Sequence, residues 1–140
     1  MTGPIGLVAV SLSIYSDALD PDHVTEVLAR PFDHAHRKGD RSGTNRSGMG
    51  TGHWSISEYA RDNKELTGEE AIDRVIERVS VPASTWLTTL GEFRARLLVS
   101  LELSDQNQGL SITPSQMAWL SSRGIRLDLD VHGRARPDYV

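Results

Sequence analysis

The segment LVAVSLSIY, residues 7–15, alternates apolar side chains with small or polar ones. Val8, Val10, Leu12 and Ile14 fall on one side and Ala9, Ser11, Ser13 and Tyr15 on the other, which predicts a strand with a single buried face. Asp20-Pro21-Asp22 then signals a helix. Asp20 is a suitable cap, Pro21 is pre-set for the first helical position, and Val24, Val27 and Leu28 give a short apolar stripe that ends at Pro31. Trp54 and Ile56 alternate with Ser55 and Ser57 and predict a second strand. The polar segment EYARDNKEL leads to Thr67-Gly68-Glu69-Glu70, a capping box ahead of an amphipathic helix marked by Ile72, Val75, Ile76 and Val79. Pro82 restarts the chain into a second helical piece with Trp86, Leu87 and Leu90.

The C-terminal half repeats these signals. ARLLVSLEL, residues 95–103, sets Ala95, Leu97, Val99, Leu101 and Leu103 against Arg96, Leu98, Ser100 and Glu102. After the polar loop SDQNQG comes Thr113-Pro114-Ser115-Gln116, a second capping box with proline at the first helical position. Met117, Trp119 and Leu120 supply that helix with apolar content, and Gly124 is its stop signal. IRLDLDVH then alternates strictly, with Ile125, Leu127, Leu129 and Val131 inward and Arg126, Asp128, Asp130 and His132 outward. Val10-Ser11-Leu12 matches Val99-Ser100-Leu101, and each of these strands leads to an X-Pro-capped helix and a further strand. The expected fold is α+β: a two-layer sandwich built from a duplicated, ferredoxin-like strand–helix–strand unit, with an inserted helical segment and a sheet open on one face. A single domain over residues 1–133 is expected, followed by a flexible tail at 134–140.

Composition narrows the functional classes. A formal net charge of −4 disfavours general binding to nucleic acid or anionic membranes, both of which are driven by positive charge. The chain has no cysteine, so disulfides, cysteine nucleophiles and thiolate metal sites are excluded, and a reducing, cytoplasmic location is expected. The N-terminal apolar stretch has no basic region before it and no small-residue cleavage pattern after it, in line with that location. No apolar run approaches the ~18 residues that a membrane span requires.

The order of signals resembles a known family. Leu19-Asp20-Pro21 closes the first strand unit, a helix ends at Pro31, and Lys38-Gly39-Asp40 forms a turn. A loop closes on Gly52-His53-Trp54, a helix leads to Pro82, and a final helix–strand unit ends in LDLDV. Over residues 8–132 this pattern resembles the bacterial family known as domain of unknown function 4279 (DUF4279). The resemblance implies a small bacterial α+β domain with no catalytic residues to carry over. It leaves the loop between Gly39 and Gly52 the least constrained part.

That loop belongs to the stretch HAHRKGDRSGTNRSGMGTGHW, residues 34–54, which is rich in glycine, histidine and arginine. As a phosphate cradle it fails, because Gly48, Gly50 and Gly52 alternate, no lysine follows, and the segment leads into a strand rather than a helix N-terminus. As a metal site it offers His34 and His36 two apart, with Asp33 and His53 as further candidates, but nothing fixes a third ligand. Arg37, Lys38, Arg41 and Arg46 stand against one acid, Asp40, yet no aromatic residue precedes Trp54 for base stacking. The same arginines suit an acidic protein partner, since guanidinium groups bind carboxylates bidentately. The expected structure is a mobile, mildly basic loop between helix and strand, with His34, His36, Arg37, Lys38, Arg41, Arg46 and His53 as the candidate interaction residues.

A second candidate site lies on the last strand. Asp128, Asp130 and His132 share one face, with Arg126 beside them and Glu102 on the strand before. Acid–base work there would need a buried carboxylate, whereas a solvated charged face also serves to discourage edge-to-edge aggregation. No serine sits in a G-x-S-x-G turn, and Trp54, Trp86 and Trp119 all fall at core positions. The sequence therefore favours a non-catalytic protein-interaction module, immunity- or adaptor-like, that uses the 34–53 loop and the open sheet face. The alternative is a small-ligand or metal-binding protein, or a weak enzyme, on the Asp128/Asp130/His132 face. No cofactor is expected. The expected partner is a protein, and an exposed sheet leaves a homodimer open.

Overall fold

The computed structural model describes residues 7–40, 50–61, 67–79, 81–102 and 110–133. Strands β1 (Leu7–Ser16), β2 (His34–His36), β3 (Gly52–Arg61), β4 (Arg94–Glu102) and β5 (Arg126–His132) form one sheet in the order β2-β3-β1-β4-β5. Helices α1 (Pro21–Leu28), α2 (Gly68–Glu77), α3 (Ala83–Leu90) and α4 (Pro114–Arg123) supply the second layer. β1 is the central strand and runs antiparallel to both β3 and β4, while β4 and β5 are parallel. The expected 104–109 loop, residues 41–49 with Arg41 and Arg46, and the expected tail at 134–140 lie outside the described residues.

Alternation builds the core as the pattern requires. Val8, Val10, Leu12 and Ile14 are buried on one sheet face beside Trp54, Ile56, Leu97 and Val99, and Val24, Leu28, Ile72, Val75, Trp86 and Leu90 of the helices join the same cluster. Each such side chain contributes about 1.5–3 kcal/mol of burial free energy. Both capping boxes form: Thr67 accepts from the Glu70 N–H and Thr113 from the Gln116 N–H, while the Glu70 and Gln116 side chains accept from the cap N–H groups. Gly124 takes the left-handed conformation (φ 68°) and ends α4 where that glycine predicts a stop.

Three features depart from the sequence reading. The sheet does not carry two copies of one unit. β1 and β3 pair directly and antiparallel around α1, whereas β4 and β5 are parallel and joined through α4, so the two strand–helix–strand passages close differently. A fifth strand, β2, stands where the start of a loop is expected. It is held by Asp33, whose carboxylate accepts from the Ser57 N–H at 2.8 Å and receives both terminal nitrogens of Arg78 at 3.1 and 3.2 Å. Finally, Leu129 and Val131 point to the core side but remain more than half exposed, because β5 is an edge strand that α4 barely reaches. On α4 itself Met117 is exposed, while Gln116 is buried and donates to the Glu69 carbonyl and the Asp73 carboxylate of α2.

Candidate functional site

The face opposite the helices is polar, and strand register decides which of its side chains meet. His36 pairs with His53, His53 with Tyr15, and Tyr15 with Arg94, so one row crosses four strands. Two residues along each strand, a second row runs His34, Ser55, Ser13, Arg96 and Arg126 across all five. Cross-strand and diagonal neighbours on one face are close enough for aromatic and long side chains to touch. Tyr15 and His53 stack with ring centroids 4.7 Å apart at 14°, and His36 lies 5.4 Å from His53 at 51°. Arg96 holds its guanidinium 5.6 Å from the Tyr15 ring centre and donates to the Tyr15 hydroxyl at 3.3 Å. Gly52 sets the entry to this row: a Cβ there would sit 2.6 Å from the Ser16 carbonyl oxygen and 2.9 Å from Leu19 Cβ, so only glycine allows β3 to approach the end of β1.

The electrostatics of the row are asymmetric. Burial, with smaller contributions from the neighbouring His36, His34 and Arg96 charges, lowers the His53 pKa to about 4. His53 is therefore neutral at neutral pH. Its Nε2 and the Nδ1 of His36 are buried and have no hydrogen-bond partner among the described residues. On the β5 side a single oxygen of Asp128, Oδ2, accepts from Arg96 at 3.4 Å and from Arg126 at 3.2 and 3.1 Å. Asp130 and His132 make a 3.0 Å contact at the exposed far end, near the exposed Glu102. The face thus carries imidazoles and guanidiniums at one end and carboxylates toward the other.

Both sequence-derived candidate sets map onto this one face, at opposite edges of the sheet. His34, His36 and His53 stand on β2 and β3, while Asp128, Asp130 and His132 stand on β5. Tyr15 and Arg96, which the sequence reading left out of both sets, bridge them. Alternation already turned Tyr15 and Arg96 outward, but only register reveals that they meet. Arg37 and Lys38 behave differently. Arg37 pairs with Asp20 at 2.8 Å and Asp22 at 3.5 Å, and Lys38 with Asp17 at 3.3 Å, so the turn after β2 is neutralised by the chain's own acids. Arg41 and Arg46 lie outside the described residues. Asp33 is engaged by Arg78 and Ser57 rather than by the histidines, and among the described residues no group of three His, Asp or Glu side chains is arranged to hold a metal ion. Burial works against the charge of Asp33, but the Arg78 guanidinium and the Ser57 N–H outweigh it and hold the carboxyl below its usual range.

Asp128 is shared between two arginines, and Asp130 is open to water, so neither is the desolvated carboxyl that acid–base catalysis requires. The face presents a stacked Tyr15–His53 pair with guanidinium donors beside it. Fold and face together define a small α+β domain with one polar sheet face that no helix covers among the described residues. The chain belongs to the family described as Domain of unknown function (DUF4279), whose family model matches residues 6–134. No curated protein and no solved structure matches it. No helix among the described residues is long and apolar enough to cross a membrane.

Proposed function

We propose that this chain is a non-catalytic protein-interaction module, adaptor- or immunity-like, whose partner covers the open sheet face. The observation that carries this reading is the His36–His53–Tyr15 row, half-buried on a sheet face that no helix covers among the described residues. Rings half-exposed on such a face are the kind of aromatic anchor that protein interfaces bury. The charge gradient across the face gives the partner an orientation, with its acidic residues over the imidazole–guanidinium end. The basic turn contributes less to this reading than the sheet, because Arg37 and Lys38 are already paired. A second copy is the other available cover. Among the described residues the outer edge of β5 pairs with no strand and carries exposed Leu129 and Val131, and the mass of the purified chain in solution tests that arrangement.

The partner reading is tested by affinity capture from the lysate of the source organism. Three baits are compared: the unaltered chain, a Tyr15→Ser/His36→Ser variant, and a chain whose residues 41–49 are replaced by a glycine–serine linker. The expected result is one protein retained by the first and third baits, lost from the second, and released by salt. Retention by all three baits, or loss only with the linker, contradicts the reading.

A further inference from the structure

At the Tyr15 end of the sheet a cleft of about 660 Å³ opens between the turn after α3, the start of β4 and the start of β5. Its walls include Tyr15, Phe93, Arg94, Arg96 and Arg126. This volume lies within the range of small-molecule sites, about 300–1,000 Å³. Arg94 and Arg96 fall on the same side of β4, and Arg96 stands opposite Arg126 in the parallel register, so three arginines from two strands line one space. Against them stand two carboxylates, Asp128 and the exposed Glu92. Asp128 presents one oxygen to two arginines, and Arg94, whose charge is felt by Asp17, makes no ion pair within 4 Å among the described residues. A chain of net charge −4 thus gathers three arginines around one concave place.

We propose that this cleft binds a small phosphate monoester. A carboxylate is planar and offers two oxygens to one arginine fork. A phosphoryl group offers three oxygens in a tetrahedral array and a charge near −2, which matches three guanidiniums approaching from two strands. The organic part of the ligand lies toward Tyr15, whose ring borders Arg96, with Phe93 at the cleft wall. Asp128 acts as a positioning residue: it fixes Arg96 and Arg126 side by side and takes no part in contact with the ligand. No bond is made or broken, and the site does not depend on a protein partner.

The experiment is a titration of the purified chain, followed by amide chemical shifts at low salt, with phenyl phosphate as probe and benzoate as the planar comparison. The expected result is saturable shifts centred on Tyr15, Phe93–Arg96 and Arg126, with benzoate at least about tenfold weaker. Arg94→Ser and Arg126→Ser each weaken phenyl phosphate by about tenfold or more while leaving the melting temperature in place, since both side chains are exposed. Shifts that never saturate, or that scatter over surface cations such as Arg37, overturn the proposal. So does affinity unchanged in both variants, and benzoate binding as tight as phenyl phosphate overturns the phosphate assignment. The purified chain and a small probe suffice, so these outcomes are independent of whether a protein partner is captured.

Discussion

On the helix side of the sheet, Val10, Leu12, Ile14, Trp54 and Ile56 are fully buried and packed in one apolar cluster, with the Trp54 indole N–H to the Thr25 hydroxyl as a polar exception. On the other side of the same strands, Ser11, Tyr15, His53 and Ser57 keep part of theirs and meet hydroxyls, imidazoles and guanidiniums. The two faces differ in how much their order depends on partners. An apolar side chain in a core is satisfied by any well-fitting neighbour, because burial is non-directional. A polar side chain needs a particular partner at a particular distance, and here that partner comes from another strand, as when Arg96 reaches Tyr15 and Asp128. The helix side therefore carries the stability, and the open side carries chemistry the fold can lose without unfolding.

This contrast orders the effects of substitution. Trp54→Ala empties a fully buried site and strands the Thr25 hydroxyl that accepts from its indole N–H, so unfolding in urea should show a loss of about 3–5 kcal/mol. Gly52→Ala pushes a methyl group into the Ser16 carbonyl and should cost about 2–3 kcal/mol by the same measurement. Arg78→Met removes the cation that joins Asp33 to Glu58 at 2.9 Å and donates to the Ser57 carbonyl. Because these groups are partly solvated, a loss of about 1–2 kcal/mol is expected, with amide exchange fastest in β2.

His53 gives the smallest stability effect and the one most specific to the open face. Its folded pKa of about 4 lies below the ordinary value of 6.5, so the unfolded chain binds a proton that the folded chain refuses. Above pH 6.5 both states are neutral and nothing is gained or lost. As pH falls from 6.5 toward 4, stability should drop by about 1 kcal/mol on this account, after allowance for the partial solvent exposure of the ring. His53→Phe keeps a ring against Tyr15 and should flatten that part of the stability–pH curve. A curve of unchanged slope would mean the imidazole is not desolvated as its position indicates.

Legibility in the sequence follows the same division. The two capping boxes, the alternation of β1 and β4 and the stop at Gly124 are local or single-residue signals, and all of them appear in the fold. β2 was hidden because His34-Ala35-His36 has no apolar run; it depends on Asp33 reaching Ser57 and Arg78, far away in sequence. The Val-Ser-Leu match between β1 and β4 is genuine as a strand pattern, but pattern does not set strand direction, and the two halves close differently. At the candidate site, the outward placement of Tyr15, Arg96 and Asp128 could be read from period two. That His34, His36 and His53 share a face with Asp128, Asp130 and His132 could not, because it depends on which strands are neighbours.

The absence of cysteine from the chain makes the most direct test simple. Ser100→Cys places one thiol on the open face of β4, and Ser84→Cys places one on the exposed side of α3 as a reference. Thiol labelling rates are measured on the purified protein and inside cells of the source organism at native expression. If a partner covers the open face, Ser100→Cys labels readily when purified and about tenfold or more slowly in cells, while Ser84→Cys changes little. Equal protection of both positions, or none at Ser100→Cys, would contradict the claim that the open sheet face is where this domain meets its partner.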